Sequence, residues 1–423
     1  MKAGKRVREA LAAGYSNAFS AIFDSNLTSI ITGIILYYFG TGPIKGFATT
    51  LIIGIIVSFF TAVFLTRLVY TAMMARDKWL GLKFKTHVGN LLSFKDPAYK
   101  FMSAYKTSFT VFGILVAVAL VGMFGRGFSK SIDFTGGRNF VVMFDQPVTA
   151  AQANNLLTAA FPESNTNAIA IGTEGNSLRI STNYRIAEEG IEVDSEIEEK
   201  LFEVFKDGGM LDKDLTLETF INRDERAGGS IVSSQKVGPS IAEDITMGAI
   251  YSIIIAFIAI FAYIFIRFRN LSFSIGAITA LICDIMLILG AYALCWGWMP
   301  FSLEIDQTFI GAILTAIGYS INDKVVVFDR IRENIGLMPK HDRQDLFNQS
   351  VNSTLNRTIN TSVSTFVVLL VIFLIGIIGG GAGSIISFSF AMMLGVIFGT
   401  FSSIFVAVPV AYLTMGKQIK EDK

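Results

Sequence analysis

The chain has 423 residues, of which 52% are hydrophobic and 37 are phenylalanine, and its formal net charge is +1. A mean hydropathy of +0.55 excludes a soluble protein built on one large core and points to an integral membrane protein. The near-neutral charge excludes a bulk electrostatic pull toward nucleic acid.

The basic start, Met1-Lys2-Ala3-Gly4-Lys5-Arg6, is not followed by a short apolar run with a cleavage site, so no signal peptide is expected. Eight apolar segments are long enough to cross about 30 Å of hydrocarbon. They lie near 22–39, 46–70, 108–125, 245–266, 272–296, 305–328, 358–379 and 385–413. Positive charge gathers in alternate loops. Residues 67–106 hold Arg67, Arg76, Lys78, Lys83, Lys85, Lys95, Lys100 and Lys106, and the turn after span four is Arg267-Phe268-Arg269-Asn270. The loop after span six has Arg330, Arg332, Lys340 and Arg343, and the C-terminus has Lys417, Lys420 and Lys423. An even number of spans then puts both termini in the cytoplasm.

The one large insertion, 127–243, is expected on the outer face. Its pattern reads strand 139–144, helix 149–161, strand 168–172, strand 177–182, helix 194–205 and strand 230–237. Ile197, Leu201, Val204 and Phe205 supply the helical spacing of the second helix. The order β-α-β-β-α-β is the ferredoxin-like split unit. Asp133, Gly136, Gly137 and Arg138 mark the opening of this domain, where paired glycines read as a turn.

Cys283 and Cys295, the only cysteines, stand 12 residues apart in one apolar segment. On a helix that is roughly 18 Å, too far for a disulfide. No zinc, haem, redox or other cofactor motif is present, and His87 and His341 fall in loops. The Gly379-Gly380-Gly381-Ala382-Gly383 run reads as a flexible outer turn.

Asp323 lies inside an apolar run, where a carboxylate costs a few kcal/mol. On a helical wheel Ala312, Thr315, Ala316, Tyr319, Ser320 and Asp323 share a small, hydroxylated face. In span seven Arg357, Asn360, Thr361 and Ser364 form a similar stripe, and Arg357 is the expected partner of Asp323. A carboxylate whose contact with arginine makes and breaks would cycle between proton capture and release. A static ion pair locking two helices is the plainer alternative. Asp284, in mid-span five, and Asp24, which shares a face with Asn17, Ser20 and Thr28, are further intramembrane acids. Asp329, Arg330, Arg332 and Glu333 read as a solvated helix end.

Two stretches repeat at an offset near 336. Tyr15 to Ser29 aligns with Val351 to Thr365, setting Asp24 opposite Asn360 and Ala21 opposite Arg357. After a five-residue insertion in the second copy, Phe47-Ala48 and Gly54 align with Phe388-Ser389 and Gly395. Parallel repeats of this kind occur in transporters. The second copy lies in a complete six-span unit, whereas the first has only its last two spans. The expected fold is therefore an all-α membrane bundle, eight helices here out of a twelve-helix pseudo-symmetric whole, with one α+β ferredoxin-like outer domain. Four more spans, a large outer domain and another Asp-bearing motif are expected upstream of Met1.

The string from Gly318 to Asn334, GYSINDKVVVFDRIREN, resembles the signature of the SecF family. Ser131-Ile132-Asp133-Phe134-Thr135-Gly136-Gly137 resembles its first outer-face motif, and Val237-Gly238-Pro239 fits as well. Residues 8–70, with Phe23-Asp24-Ser25-Asn26 and Phe39-Gly40-Thr41-Gly42-Pro43, are similar to the end of SecD. The chain thus resembles a fused SecDF protein of the resistance-nodulation-division superfamily, lacking most of its SecD half. The resemblance divides it into two SecD-like spans (1–70), a cytoplasmic linker (71–107), the first SecF-like span (108–126), the outer domain (127–243), a five-helix region (244–416) and a tail (417–423). It implies a non-enzymatic accessory in the cytoplasmic (inner) membrane that uses a proton or sodium gradient to assist polypeptide export. The implied partners are the SecYEG channel, the SecA motor, a YidC-type insertase and unfolded exported chains. It also implies that Asp323 and Arg357 lie on the ion path and that Asp24 matches the acidic residue of the SecD half. Lys324 departs from the pattern, where a small or hydroxyl residue is usual, and an acidic neighbour is its expected partner. The competing readings are a small-molecule or lipid exporter of the same superfamily, disfavoured by an insertion of only about 115 residues, and a scaffold that merely gathers translocase subunits. No nucleophile–base pair, metal cluster or nucleotide loop supports an enzyme.

Overall fold

The computed structural model describes residues 7–40, 42–76, 78–79, 97–162, 164, 166–171, 175–188, 190–223, 229–299, 301–338, 341–378 and 383–418. His87, the lysines at 83, 85 and 95, most of the glycine run at 379–383 and most of the tail lie outside the described residues. Within them, eight helices are long and apolar enough to cross a membrane: Ile22–Phe39, Ile44–Ala75, Phe101–Gly125, Pro239–Phe268, Leu271–Cys295, Gln307–Leu337, Arg343–Ile378 and Ser384–Met415. They are spans one to eight. The first extends an amphipathic lead-in as one continuous helix, Val7–Phe39. Spans two and eight each contain a π-helical turn, Thr61–Leu65 and Ser403–Ala407.

Span six is the axle. Buried residues make up 78% of its apolar window, against 11% for span two and 17% for span seven. The sequence achieves this with small residues. Hydrocarbon gives helices little hydrophobic reason to associate, so close backbone approach must supply the attraction. A Cβ on Gly399 of span eight would stand 2.6 Å from Ser320 Oγ, and one on Gly395 would stand 2.5 Å from Ala316 Cβ. On another side of span six, a Cβ on Gly318 would stand 2.7 Å from Thr32 Oγ1 of span one. Only glycine allows these crossings.

Span six starts at Gln307, two residues later than the apolar pattern suggested, because Asp306 caps it: the Phe309 amide donates to Asp306 Oδ1 at 2.7 Å. Pro239 opens span four and left-handed Arg269 closes it. Asn270 then accepts from the Ser272 amide at 2.9 Å and starts span five. Polar caps at both ends of so short a turn explain the tight reversal.

The domain between spans three and four has four strands: β1 Gly137–Met143, β2 Thr166–Ile171, β3 Ser177–Thr182 and β4 Ser230–Val237. The sheet is antiparallel in the order β2-β3-β1-β4. Helices Ala150–Ala160 and Ile191–Asp207 cover one face. Their apolar stripes bury Leu157, Ile197, Leu201 and Phe205 against Phe140, Val142, Leu178, Ile180 and Ile231. Two short helices, Ile132–Thr135 and Leu217–Ile221, were not expected from the pattern. Arg138, marked in the sequence only as part of a turn, is an internal anchor instead. It is fully buried, pairs with Asp194 and donates to the carbonyls of Tyr184 and Glu188 at 3.0 and 3.1 Å. Gly137 has a φ of +147°, and a Cβ there would stand 2.8 Å from the Thr182 carbonyl oxygen. The second glycine of the pair is thus required by both conformation and space.

Candidate functional site

Asp323 is 3% exposed, at the middle of span six. Ser362 of span seven faces its Oδ2 at 3.4 Å, and Thr400 of span eight donates to Ser362 Oγ at 2.7 Å. Two hydroxyls therefore stand between the carboxylate and span eight, and each also lies within reach of a carbonyl on its own helix, Ser362 of Thr358 at 2.9 Å and Thr400 of Val396 at 2.6 Å. One turn away the Tyr319 hydroxyl reaches Thr365 Oγ1 at 2.9 Å and the Thr361 carbonyl at 3.1 Å.

The expected contact between Asp323 and Arg357 is not formed. Arg357 lies on an exposed face of span seven, and no ion pair joins it to Asp323 among the described residues. The reason is helical phase. Span seven turns Thr358 and Ser362, four residues apart and both buried, toward span six. Each residue adds about 100° around a helix, so Arg357 points well to the side. Asn360 is half-buried and does not bond to Asp323, while Ser364 is exposed and donates to the Asn360 carbonyl at 2.7 Å. The stripe of 357, 360, 361 and 364 is thus rotated off the facing surface.

Asp284 finds the partner expected for Lys324. The Lys324 ammonium, with no exposed surface, lies 3.1 Å from Asp284 Oδ2. Ser320 donates to the same oxygen at 2.7 Å. Lys324 and Asp323 are adjacent in sequence but face spans five and seven respectively, so the two acids are served by different neighbours.

Asp24, buried on span one, is tied to span four. Tyr263 donates to its Oδ1 at 3.0 Å, and Arg267 donates from Nε and Nη2 to its Oδ2 at 2.8 and 2.7 Å. Arg267 also lies 3.7 Å from Asp329, which Arg332 holds at 2.8 Å. Asp329 and Arg332, read from sequence as a solvated end, belong to this cross-span network. Arg330 and Glu333 pair with each other at the exposed surface.

At the domain end of span six, the Gly-Gly motif is fastened to the helix that carries Asp323. Ile305 exchanges backbone hydrogen bonds with Ser129 and Ser131 at 2.8 and 3.0 Å, and Gln307 N donates to Asp133 Oδ2 at 3.2 Å. Arg179, on the uncovered sheet face of β3, lies 3.5 Å from Glu304. Sequence reasoning missed Arg179 and Glu304 because they stand 125 positions apart. The only local signal is two acids, Glu304 and Asp306, in an otherwise apolar connection.

Burial pushes Glu304 up, against the pull of Arg179, and pushes Asp306 up to about 6. A carboxyl raised in the folded state contributes stability that is full below its unfolded value of about 3.9 and is lost as pH rises through 6. The chain should therefore melt at lower temperature as pH rises across that window. Asp306→Asn keeps the helix cap and removes the proton, so its melting temperature should be flatter between pH 4 and 7. An unchanged pH slope would show that Asp306 does not titrate there.

The family described as "Protein export membrane protein SecD/SecF, C-terminal" matches residues 220–417, and the "SecD/SecF GG Motif" matches 121–148. Protein translocase subunit SecF of Rhodothermus marinus is 38% identical over 321 residues, covering 75% of this chain and 93% of that protein. Protein translocase subunit SecDF of Bacillus subtilis is 31% identical over 436 residues, covering 100% of this chain and 54% of that protein. A crystal structure of SecDF, a translocon-associated membrane protein from Thermus thermophilus, superposes with a TM-score of 0.78 at 27% identity, covering 99% of this chain and 51% of that one. The chain thus spans about half the length of its SecDF relatives and nearly all of the SecF relative. On the long matches at the Gly-Gly motif and through spans four to eight, it belongs to the SecD/SecF family of protein export membrane proteins.

Proposed function

We propose that this chain is an accessory of the Sec translocase that uses an ion gradient across the cytoplasmic membrane to drive late steps of polypeptide export. The observation that carries the reading is the connection between Asp323 and the extramembrane domain. The buried acid sits on the central helix, and that helix begins where the Gly-Gly motif and Glu304 are fastened. A change of protonation that shifts span six is transmitted to the domain through that junction. The relay comprises Asp323, Ser362 and Thr400, with Asp24, Asp284, Arg357 and Asn360 in supporting or alternate contacts. Channel, motor and insertase partners of the SecYEG, SecA and YidC kinds follow from the same reading, as do an outward-facing domain and cytoplasmic termini.

The eight spans belong to a twelve-helix bundle. Arg357 supports this, because a guanidinium on an exposed face of a membrane span requires a partner. The strand order supports a ferredoxin-like domain spanning 127–243. Membrane vesicles carrying the translocase test the reading. With this protein present, completion of preprotein export should rise on imposing a gradient and fall when an ionophore collapses it. Equal stimulation with and without the gradient would leave only a scaffold.

Exported chains should meet the domain at β4 rather than β2. Both are sheet edges, but the Asn154 side chain already occupies β2: its Nδ2 donates to the Ala168 carbonyl at 2.9 Å and its Oδ1 accepts from the Ala168 amide at 2.6 Å. That amide stands where an added strand would bond. Ser233 and Gln235 of β4 are exposed. Cysteines at 233 and 235 should cross-link to a stalled substrate severalfold more than one at 170, and the reverse ratio would count against the edge.

A further inference from the structure

Spans five, six and eight enclose a cage of oxygens around the Lys324 ammonium. Asp284 Oδ2 lies at 3.1 Å, Ser402 Oγ at 3.2 Å and the Ser320 carbonyl at 3.5 Å, and Ser320 Oγ closes the ring in direct contact. An ammonium has three protons, and three side-chain oxygens meet them. Asp284 Oδ1, in contrast, is buried with no hydrogen-bond partner among the described residues. One carboxylate, two hydroxyls and a carbonyl form the all-oxygen donor set that hard metal cations take. The cation present is instead bonded to the chain. Gly399 lets span eight close over Ser320, so the cage is sealed by the same crossing that builds the bundle. The charged and titratable groups around it are Cys283 and Asp284 on span five, and Tyr319, Asp323 and Lys324 on span six. Arg357 lies beyond them on span seven.

We propose that Lys324 is a tethered cation filling what would otherwise be an alkali-metal site at Asp284, so that this chain excludes sodium there. On the function proposed above, gradient coupling is then left to protons at Asp323.

The test is sodium-dependent thermal stability of the purified protein in lipid nanodiscs, with choline chloride holding ionic strength constant. The wild-type protein should melt at the same temperature in sodium and in choline. Lys324→Ser removes the ammonium, leaves space and adds one oxygen. It should melt lower in choline and recover by about 2 °C or more as sodium saturates the site. Lys324→Ser combined with Asp284→Asn should lose the sodium response. A sodium-dependent rise in the wild-type protein would overturn the proposal. So would a Lys324→Ser protein that does not respond to sodium, or that cannot be obtained folded even in sodium. This readout involves no export, so it stands apart from the functional reading. In vesicles, wild-type export should keep its gradient response when choline replaces sodium. If no gradient of either ion has an effect, the functional reading fails while the melting result still decides the cage.

Discussion

Asp323→Asn should leave the bundle folded and abolish the gradient-dependent part of export. The amide has nearly the shape of the carboxylate and can still accept from Ser362. It also removes the cost of a buried charge, so yield and melting temperature should match or exceed those of the wild-type protein. What it cannot do is titrate. One charge crossing 100 mV releases about 2.3 kcal/mol, and each unit of pH difference adds about 1.4 kcal/mol. Those sums bias a conformational equilibrium only if protonation differs between its states. The measurement is preprotein export in vesicles at full gradient, alongside a basal rate without one. If Asp323→Asn exports at the wild-type rate under full gradient, the acid is a static packing element and the relay is wrong.

Asp284→Leu should be the most destabilising single change in the membrane region. It leaves the Lys324 ammonium, which has no exposed surface, without its countercharge. Removing one partner of a buried pair costs about 3–5 kcal/mol, whereas replacing both with apolar residues is often close to neutral. Asp284→Leu with Lys324→Met should therefore recover most of the loss. Denaturation in mild detergent, read by the loss of helical signal, compares the three proteins. Equal stability of the single and double variants would mean that water reaches the pair.

The eight spans were legible because hydropathy along one helix needs no knowledge of its neighbours. The strands were legible for a related reason: Phe140, Val142 and Phe144 alternate with half-exposed or polar positions regardless of what covers them. The failure at Arg357 has the opposite origin. Its stripe was drawn from residue type, yet which face of span seven meets span six is decided by packing, and one residue of error rotates the face by about 100°. Ser362, which falls between Thr361 and Ser364 but on a different face, is the true neighbour of Asp323. The partners of Asp24 were hidden similarly, since Tyr263 and Arg267 lie some 240 positions away and no local pattern joins them. Lys324 was the informative exception. An ammonium in an apolar helix demands an acid nearby, but that the acid is Asp284 of span five shows only in the packing.

The π turns in spans two and eight fall at corresponding places in the repeat, since the offset of 341 that aligns Gly54 with Gly395 carries Thr61 to Ser402, beside the turn at Ser403–Ala407. Each turn stores one residue of slack. Restoring ordinary α pairing there would advance the far end of the span by about 1.5 Å and swing it by about 100°. Gly395 and Gly399 clamp span eight to span six on one side of this dislocation only. The segment beyond it, Val408–Gln418, is seated against span five instead, where a Cβ on Gly276 would stand 2.5 Å from the Ala407 carbonyl oxygen, and the hydroxyl of Ser402 stands at the boundary between the two seats.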